Sequence, residues 1–483
     1  MDISRRTFLK VALGAALSGS LPALPRLSAL SEASGNVREF EFSASPARVN
    51  LGIGPDFFAW TYNGRSPGPE IRVREGEIVR VVLKNYLPEG TTVHWHGVPV
   101  PNGMDGVPGI TQNPVPPGGS YTYEFEARPA GTYFYHSHVR YQLDQGLCGA
   151  LIIEPSHSTE SHDREHVLLL DDWVTKDGGG TAITPRRPPM GMMGPMMGGM
   201  MGMRMGPPLQ SGARPLLEPI YNAHAVNGKA YPEVEPILVA QGDRVRLRLI
   251  NASSATIYDL RLAGHTFIVT HADGRPVKPL PTDILRIGMG ERYDVQVMAD
   301  NPGSWLLAAA ERGFGEGMLR VPVRYKGVRE KEVVAPRFRP GLRFASYWDF
   351  QSLYPSEEPA TPRADRFYPQ TLSGGMHSAF WTINGWVYPN SERLVVEKGE
   401  RVRLGYWNHS MMPHPMHLHG HFFKVVNPSL PRELWALKDT VIVNPMERVE
   451  IEFLADNPGS WFHHCHNLYH MEGGMANVVL YQP

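Results

Sequence analysis

Apolar and polar side chains alternate along much of this 483-residue chain, which is the period of a β-strand with one face in a core and one in water. Three stretches repeat one such pattern: PEIRVREGEIVRVVLKN at 69–85, PILVAQGDRVRLRLIN at 236–251 and RLVVEKGERVRLGYWN at 393–408. Each reads as an alternating strand with a glycine turn, at Gly76, Gly242 and Gly399. A second landmark follows each copy at a nearly constant distance, as GTYFYHSH from Gly131, GSWLLAAA from Gly303 and GSWFHHCH from Gly459. A motif pair recurring about every 150 residues implies three homologous domains of ordinary size. Few helical periods, 49 Gly and 44 Pro complete an all-β expectation: three tandem Greek-key β-sandwiches. The polar run at 154–165 and the charged, Pro-bearing run at 326–340 read as linkers, giving domains over 36–155, 156–326 and 327–483.

Composition narrows the partners. With 47 basic and 48 acidic residues the charge is balanced, which gives no support to binding of nucleic acid or of an anionic membrane. Only Cys148 and Cys465 are present, too few for a disulfide framework, and Cys148 in GLCGALII reads as a small buried hydrophobe. The start of the chain carries Arg5 and Arg6 before an apolar run from Val11 to Leu21 that Pro22 and Pro25 end. That is a twin-arginine export address over residues 1–33, too short to anchor the chain in a membrane after processing, and it makes the mature protein periplasmic. Residues 190–205 hold nine methionines among sixteen positions, with Gly and Pro too dense for a packed helix or strand. Thioethers select Cu(I).

The histidines carry the chemistry. His464, Cys465 and His466 are consecutive, so a strand turns the two imidazoles to one side and the thiol to the other. A thiolate with two imidazoles and a thioether fits a blue copper electron-transfer site, for which Cys465, His414, His470 and Met475 are the candidates. His94, His96, His136, His138, His417, His419, His464 and His466 then remain, again in pairs at the strand period and about enough for three coppers. The first and third repeats hold four each, whereas the middle repeat has Ala308, Ala309 and Ala310 at the matching place. A cluster built from all eight can form only where the outer domains face each other.

The signatures HWHG, HSH, HPMHLHG and HCH-x3-H-x4-M resemble those of the multicopper oxidases, the family of laccases, ascorbate oxidase and cuprous oxidases, and the likeness spans essentially the whole mature chain. MMPHPMHLHG with HCHNLYHMEGGM is most similar to bacterial periplasmic copper-resistance oxidases. The resemblance implies cupredoxin-like domains and four coppers. Type 1 falls to His414, Cys465, His470 and Met475; type 2 to His94 and His417; the type 3 pair to His96, His136, His138, His419, His464 and His466. It also implies that electrons pass from Cys465 to His464 and His466, that O2 is reduced to water, and that Asp105 relays protons near type 2 copper. Some laccases carry a Glu directly after the second type 1 histidine; here Met471 stands there, and on a strand Glu472 would face the other way. The donor is expected to be Cu(I), with small phenols, or a copper-storage role, as alternatives.

Overall fold

The computed structural model describes residues 36–157, 161–175, 217–311, 314–328, 333–355, 364–375 and 379–482. The export address and the methionine-rich run at 190–205 lie outside them.

The described strands form six sheets that pair into three sandwiches. The first packs the four-stranded sheet containing Val37–Val49 and Ile78–Asn85 on the four-stranded sheet containing His94–His96 and Gly131–His136. Val81, Leu83, Trp95, Tyr123, Tyr135 and Leu151 close its core, all without solvent exposure. The middle sandwich has seven- and six-stranded sheets, and the third has six- and five-stranded sheets, each pair around its own apolar cluster. No helix among the described residues is long and apolar enough to cross a membrane.

The repeated segments differ from the reading as one strand with a turn. Each is two strands that belong to opposite sheets of one sandwich: Ile71–Arg74 and Ile78–Asn85, Ile237–Val239 and Arg244–Asn251, Arg393–Val396 and Arg401–Asn408. The glycine between them turns a corner across the core, with φ of +88° at Gly76, +90° at Gly242 and +92° at Gly399, a left-handed conformation that side chains oppose. All three corners are pinned alike, by the glycine N–H donating to the carbonyl of a buried alanine: Ala127, Ala299 and Ala455. The acidic residue that follows, Glu77, Asp243 or Glu400, accepts from the backbone N–H three residues before it.

The outer sandwiches meet along a seam. Asn102 Nδ2 donates to the Ser460 carbonyl (2.8 Å) and Asn457 Nδ2 donates to the Val100 carbonyl (3.1 Å). Phe134, Leu143, Leu169, Ile250, Leu468 and Tyr469, drawn from all three sandwiches, share one buried cluster beside it.

Candidate metal centres

Strand Ser460–Cys465 lies inside a five-stranded sheet, between Ala476–Tyr481 and His414–Leu418. Its alternation turns Trp461 and Cys465 into the core of the third sandwich and Phe462 out against Val107 of the first. His464 faces outward with Phe462, and His466 follows just past the strand end. In the core, Cys465 Sγ lies 3.6 Å from Nδ1 of both His414 and His470, and those two nitrogens are 3.0 Å apart. Met475 is fully buried in the same cluster. Trp381 covers the group, its ring 3.8 Å from that of His470. Met416 pairs with Cys465 across the strands and is buried, whereas Met411 is 70 % exposed.

His470 reaches this point from a helix. Residues Leu468–Glu472 form one helical turn, capped by the Asn467 side chain, which accepts from the N–H groups of Tyr469 and His470. The expectation that Glu472 faces away because strands alternate is therefore corrected: on a helix each residue advances about 100°. Met471 lines a small cavity with His136, His138, His464 and His466. Glu472 is half-buried, and desolvation lifts its carboxyl to about 7.

In the seam the other eight imidazoles converge. Their ligand atoms fall into three groups, each within 4.8 Å: His94, His96 and His417; His96, His136 and His466; His138, His419 and His464. Every group mixes residues of the first and third sandwiches. Asp105, 1 % exposed, sits beneath them; its carbonyl accepts from His94 Nδ1 (2.9 Å), and its carboxylate accepts from His419 Nδ1 (3.0 Å).

The donor atoms fit transition-metal ions that imidazole binds, copper among them. His419 donates from Nδ1 to Asp105, and His464 donates from Nδ1 to the Cys465 carbonyl (2.9 Å), so the Nε2 atoms of both rings carry lone pairs. Those two lone pairs face each other at 3.0 Å, which is repulsive unless a cation lies between them. Nε2 of His94, His136 and His417, Nδ1 of His96 and both nitrogens of His466 are buried with no hydrogen-bond partner, a costly state for polar atoms. Burial pushes His96, His136, His138, His419, His464 and His466 well below the ordinary imidazole range, helped by their mutual repulsion. His414 is brought to about 3, also by burial. Neutral rings are the ligating form. Burial raises the Cys465 thiol, so without a metal it stays protonated.

Three contributors are absent from the sequence reading. Asp439, fully buried, accepts from His96 Nε2 (3.2 Å) through its carboxylate and from His417 Nδ1 (2.9 Å) through its carbonyl. Arg292 of the middle sandwich grips that carboxylate with two bonds of 2.7 and 2.6 Å. Burial alone would raise the Asp439 carboxyl, but Arg292 and the two imidazoles hold it well below the usual range. Glu218 lies 3.9 Å from His470 Nε2 and accepts from Asn467 Nδ2 (2.9 Å). None of the three carried a sequence signal, whereas the helix bearing His470 did: Asn467 before it and two glycines after it are capping residues.

Three family models, each described as multicopper oxidase, match residues 47–158, 164–327 and 361–483. The chain is 36% identical over 479 residues to multicopper oxidase MmcO of Mycobacterium tuberculosis, covering 96% of this chain and 91% of that protein. It is 28% identical to a copper resistance protein A homolog of Pseudomonas syringae pv. tomato, with 99% and 98% coverage. The crystal structure of a multi-copper oxidase from Pseudomonas thermotolerans superposes with a TM-score of 0.69 at 27% identity, covering 93% of this chain and all of that one.

Proposed function

The chain belongs to the multicopper oxidase family, and from that premise we propose that its electron donor is Cu(I), oxidised to Cu(II) in the periplasm as a defence against copper. It is a copper-dependent oxidoreductase with O2 as acceptor, built of cupredoxin domains and holding four coppers, one type 1, one type 2 and a type 3 pair. We assign type 1 to His414, Cys465, His470 and Met475, and type 2 to His94 and His417. One type 3 ion goes to His96, His136 and His466, the other to His138, His419 and His464. The domains run over 36–155, 156–326 and 327–483, after a signal at 1–33 that uses the twin-arginine translocase. The observation that carries this reading is the back-to-back strand, with Cys465 in one core and the neighbouring imidazoles facing bare nitrogens across the seam.

When bound, copper supplies one-electron redox chemistry at the thiolate and the multi-electron reduction of O2 to water at the seam. Cys465 shares a peptide bond with both His464 and His466, so charge reaching its sulfur has a path of a few covalent bonds to the other site. Asp105, whose carboxylate accepts from His419 Nδ1, is placed beside the cluster for proton transfer. Leu143, Leu468 and Met471 give the cavity between the imidazoles apolar walls, and Phe462 packs against the rings of His138 and His464.

Donors meet the type 1 group on one side. Nε2 of His414 is tied to buried Ser410 Oγ (2.7 Å), whereas Nε2 of His470 lies beside Glu218, whose side chain is 32% exposed. A carboxylate there attracts cations over neutral phenols. The methionine-rich run and the copper resistance protein among its relatives support the same donor. Oxygen uptake by the copper-loaded protein, with Cu(I) against a phenol and with Cys465→Ser as control, tests the proposal. Faster turnover of Cu(I) supports it, and a phenol turned over faster at equal concentration refutes it.

A further inference from the structure

Two imidazoles from opposite domains stack in the seam and turn different nitrogens inward. The rings of His96 and His417 lie 3.8 Å apart at 15°. His96 donates from Nε2 and leaves Nδ1 bare; His417 donates from Nδ1 and leaves Nε2 bare. Both protons face Asp439, its carboxylate and its carbonyl, with Thr440 Oγ1, which itself donates to that carboxylate (2.9 Å), alongside at 3.3 Å from His96 Nε2 and 3.1 Å from His417 Nδ1. Which ring nitrogen can take a metal is decided by the hydrogen bond that the other makes. Opposite tautomers in stacked rings therefore depend on the placement of Asp439.

That placement is set from the middle sandwich, which contributes none of the histidines. Arg292 is fully buried and meets the Asp439 carboxylate with both arms of its planar fork. Its Nε donates to the Thr132 carbonyl of the first sandwich (3.1 Å), and its Nη1 also donates to its own domain's Gly290 carbonyl (3.0 Å). One guanidinium thus touches all three domains. Room for it is left by Gly97, the residue after His96. With φ of +83° there, an added Cβ would collide with Arg292 Nη2 and Asp439 Oδ2.

We propose that Arg292 and Asp439 are positioning residues through which the middle domain fixes the ring tautomers of His96 and His417, and thereby the loading of the cluster. The proposal rests on reading both histidines as copper ligands. Without the Asp439 carboxylate in place, His96 Nε2 keeps only Thr440 Oγ1 (3.3 Å), a hydroxyl that the same carboxylate orients, and the ring can carry its proton on Nδ1, where a metal requires the lone pair.

The test uses full-length protein with the substitutions Arg292→Gln, Arg292→Lys, Asp439→Asn and Gly97→Ala. Copper per chain, the type 2 electron paramagnetic resonance spectrum and retention against a chelator are measured beside the melting curve of the copper-free form. Arg292→Gln and Gly97→Ala are expected to keep the blue absorbance of the Cys465 site and to bind cluster copper about 10- to 100-fold more weakly, with an altered type 2 spectrum. Arg292→Lys keeps the charge without the fork and should recover part of the loss. Four coppers per chain with parental spectrum and chelator resistance in these variants overturns the proposal. Should Arg292→Gln fail to fold, the lysine and Gly97→Ala variants decide by the same readouts. His96→Ala separates the underlying reading: if that variant still holds four coppers, the ligand assignment itself is wrong, whereas loss of copper there but not in the Arg292 variants refutes only the positioning role.

Discussion

Asp105 of the first domain holds His419 of the third, Oδ2 to Nδ1 at 3.0 Å, and so ties the two halves of the cluster through a group that can carry a proton. In Asp105→Asn the amide oxygen still accepts from His419, but the titratable group is gone. Turnover should fall about 100-fold, within the usual range for a lost acid–base residue. The blue absorbance should be unchanged, as rapid-mixing reoxidation of the reduced enzyme by O2 will check.

Cys465→Ser removes the only sulfur between His414 and His470 that can act as a thiolate. The variant should lose its intense visible absorbance and all donor oxidation while retaining three coppers per chain, read by metal analysis. Four coppers or residual oxidation of donor would place the entry site elsewhere.

Gly290 of the middle domain has φ of +83°, and a Cβ there would come within 2.8 Å of His466 Cδ2 and 2.9 Å of His96 Cε1. Gly290→Ala should cost about 1–2 kcal/mol of backbone strain. It should also displace those rings, so that near-ultraviolet absorbance of the type 3 pair falls while the blue band persists.

Glu218→Gln removes the carboxylate beside His470. For an exposed charge about 4 Å from its target the attraction is about 1 kcal/mol, so KM for Cu(I) should rise about fivefold while a neutral phenol is unaffected. Raising the salt concentration should narrow the difference.

The seam imidazoles are kept neutral by burial in the folded chain, whereas unfolded imidazoles gain a proton below about pH 6.5. The unfolded state then binds more protons as pH falls through that value, and stability declines by up to about 1.4 kcal/mol per pH unit for each ring. Asp172 is lifted to about 7 by burial and by Asp144, and Glu472 to about 7 by burial; together with Asp144, Asp171 and Asp273, also raised, they act in the opposite sense. Their folded forms keep protons that the unfolded chain has lost above about pH 4, so their contribution weakens as pH rises toward 7. The imidazoles outnumber them, and the urea midpoint of the copper-free protein should fall from pH 7 to pH 5. A midpoint that rises toward acid would contradict this.

Much of the site could be read from local pattern. Alternation between neighbouring residues placed Cys465 and His464 on opposite faces, and comparison of the three repeats isolated the outer domains as the histidine bearers. Asp439 and Arg292 gave no such signal: they are far apart in sequence, in unlike contexts, and meet only when the third sandwich docks on the middle one. Glu472 misled because its segment was read as strand, whereas the Asn467 cap and the two glycines that follow it specify a helical turn. The corner glycines were visible as turns, but that each carries the chain from one sheet to the other is a property of the packed sandwich.

The division of the eight imidazoles between the ends of the chain also orders events in time. During synthesis His94 to His138 emerge well before His464 and His466, so no growing chain owns a complete cluster until the strand carrying the later pair is made. Acquisition of the catalytic metal is thereby deferred to the finished, docked molecule, and a prematurely terminated product is left with half a binding site and no means of reacting with oxygen.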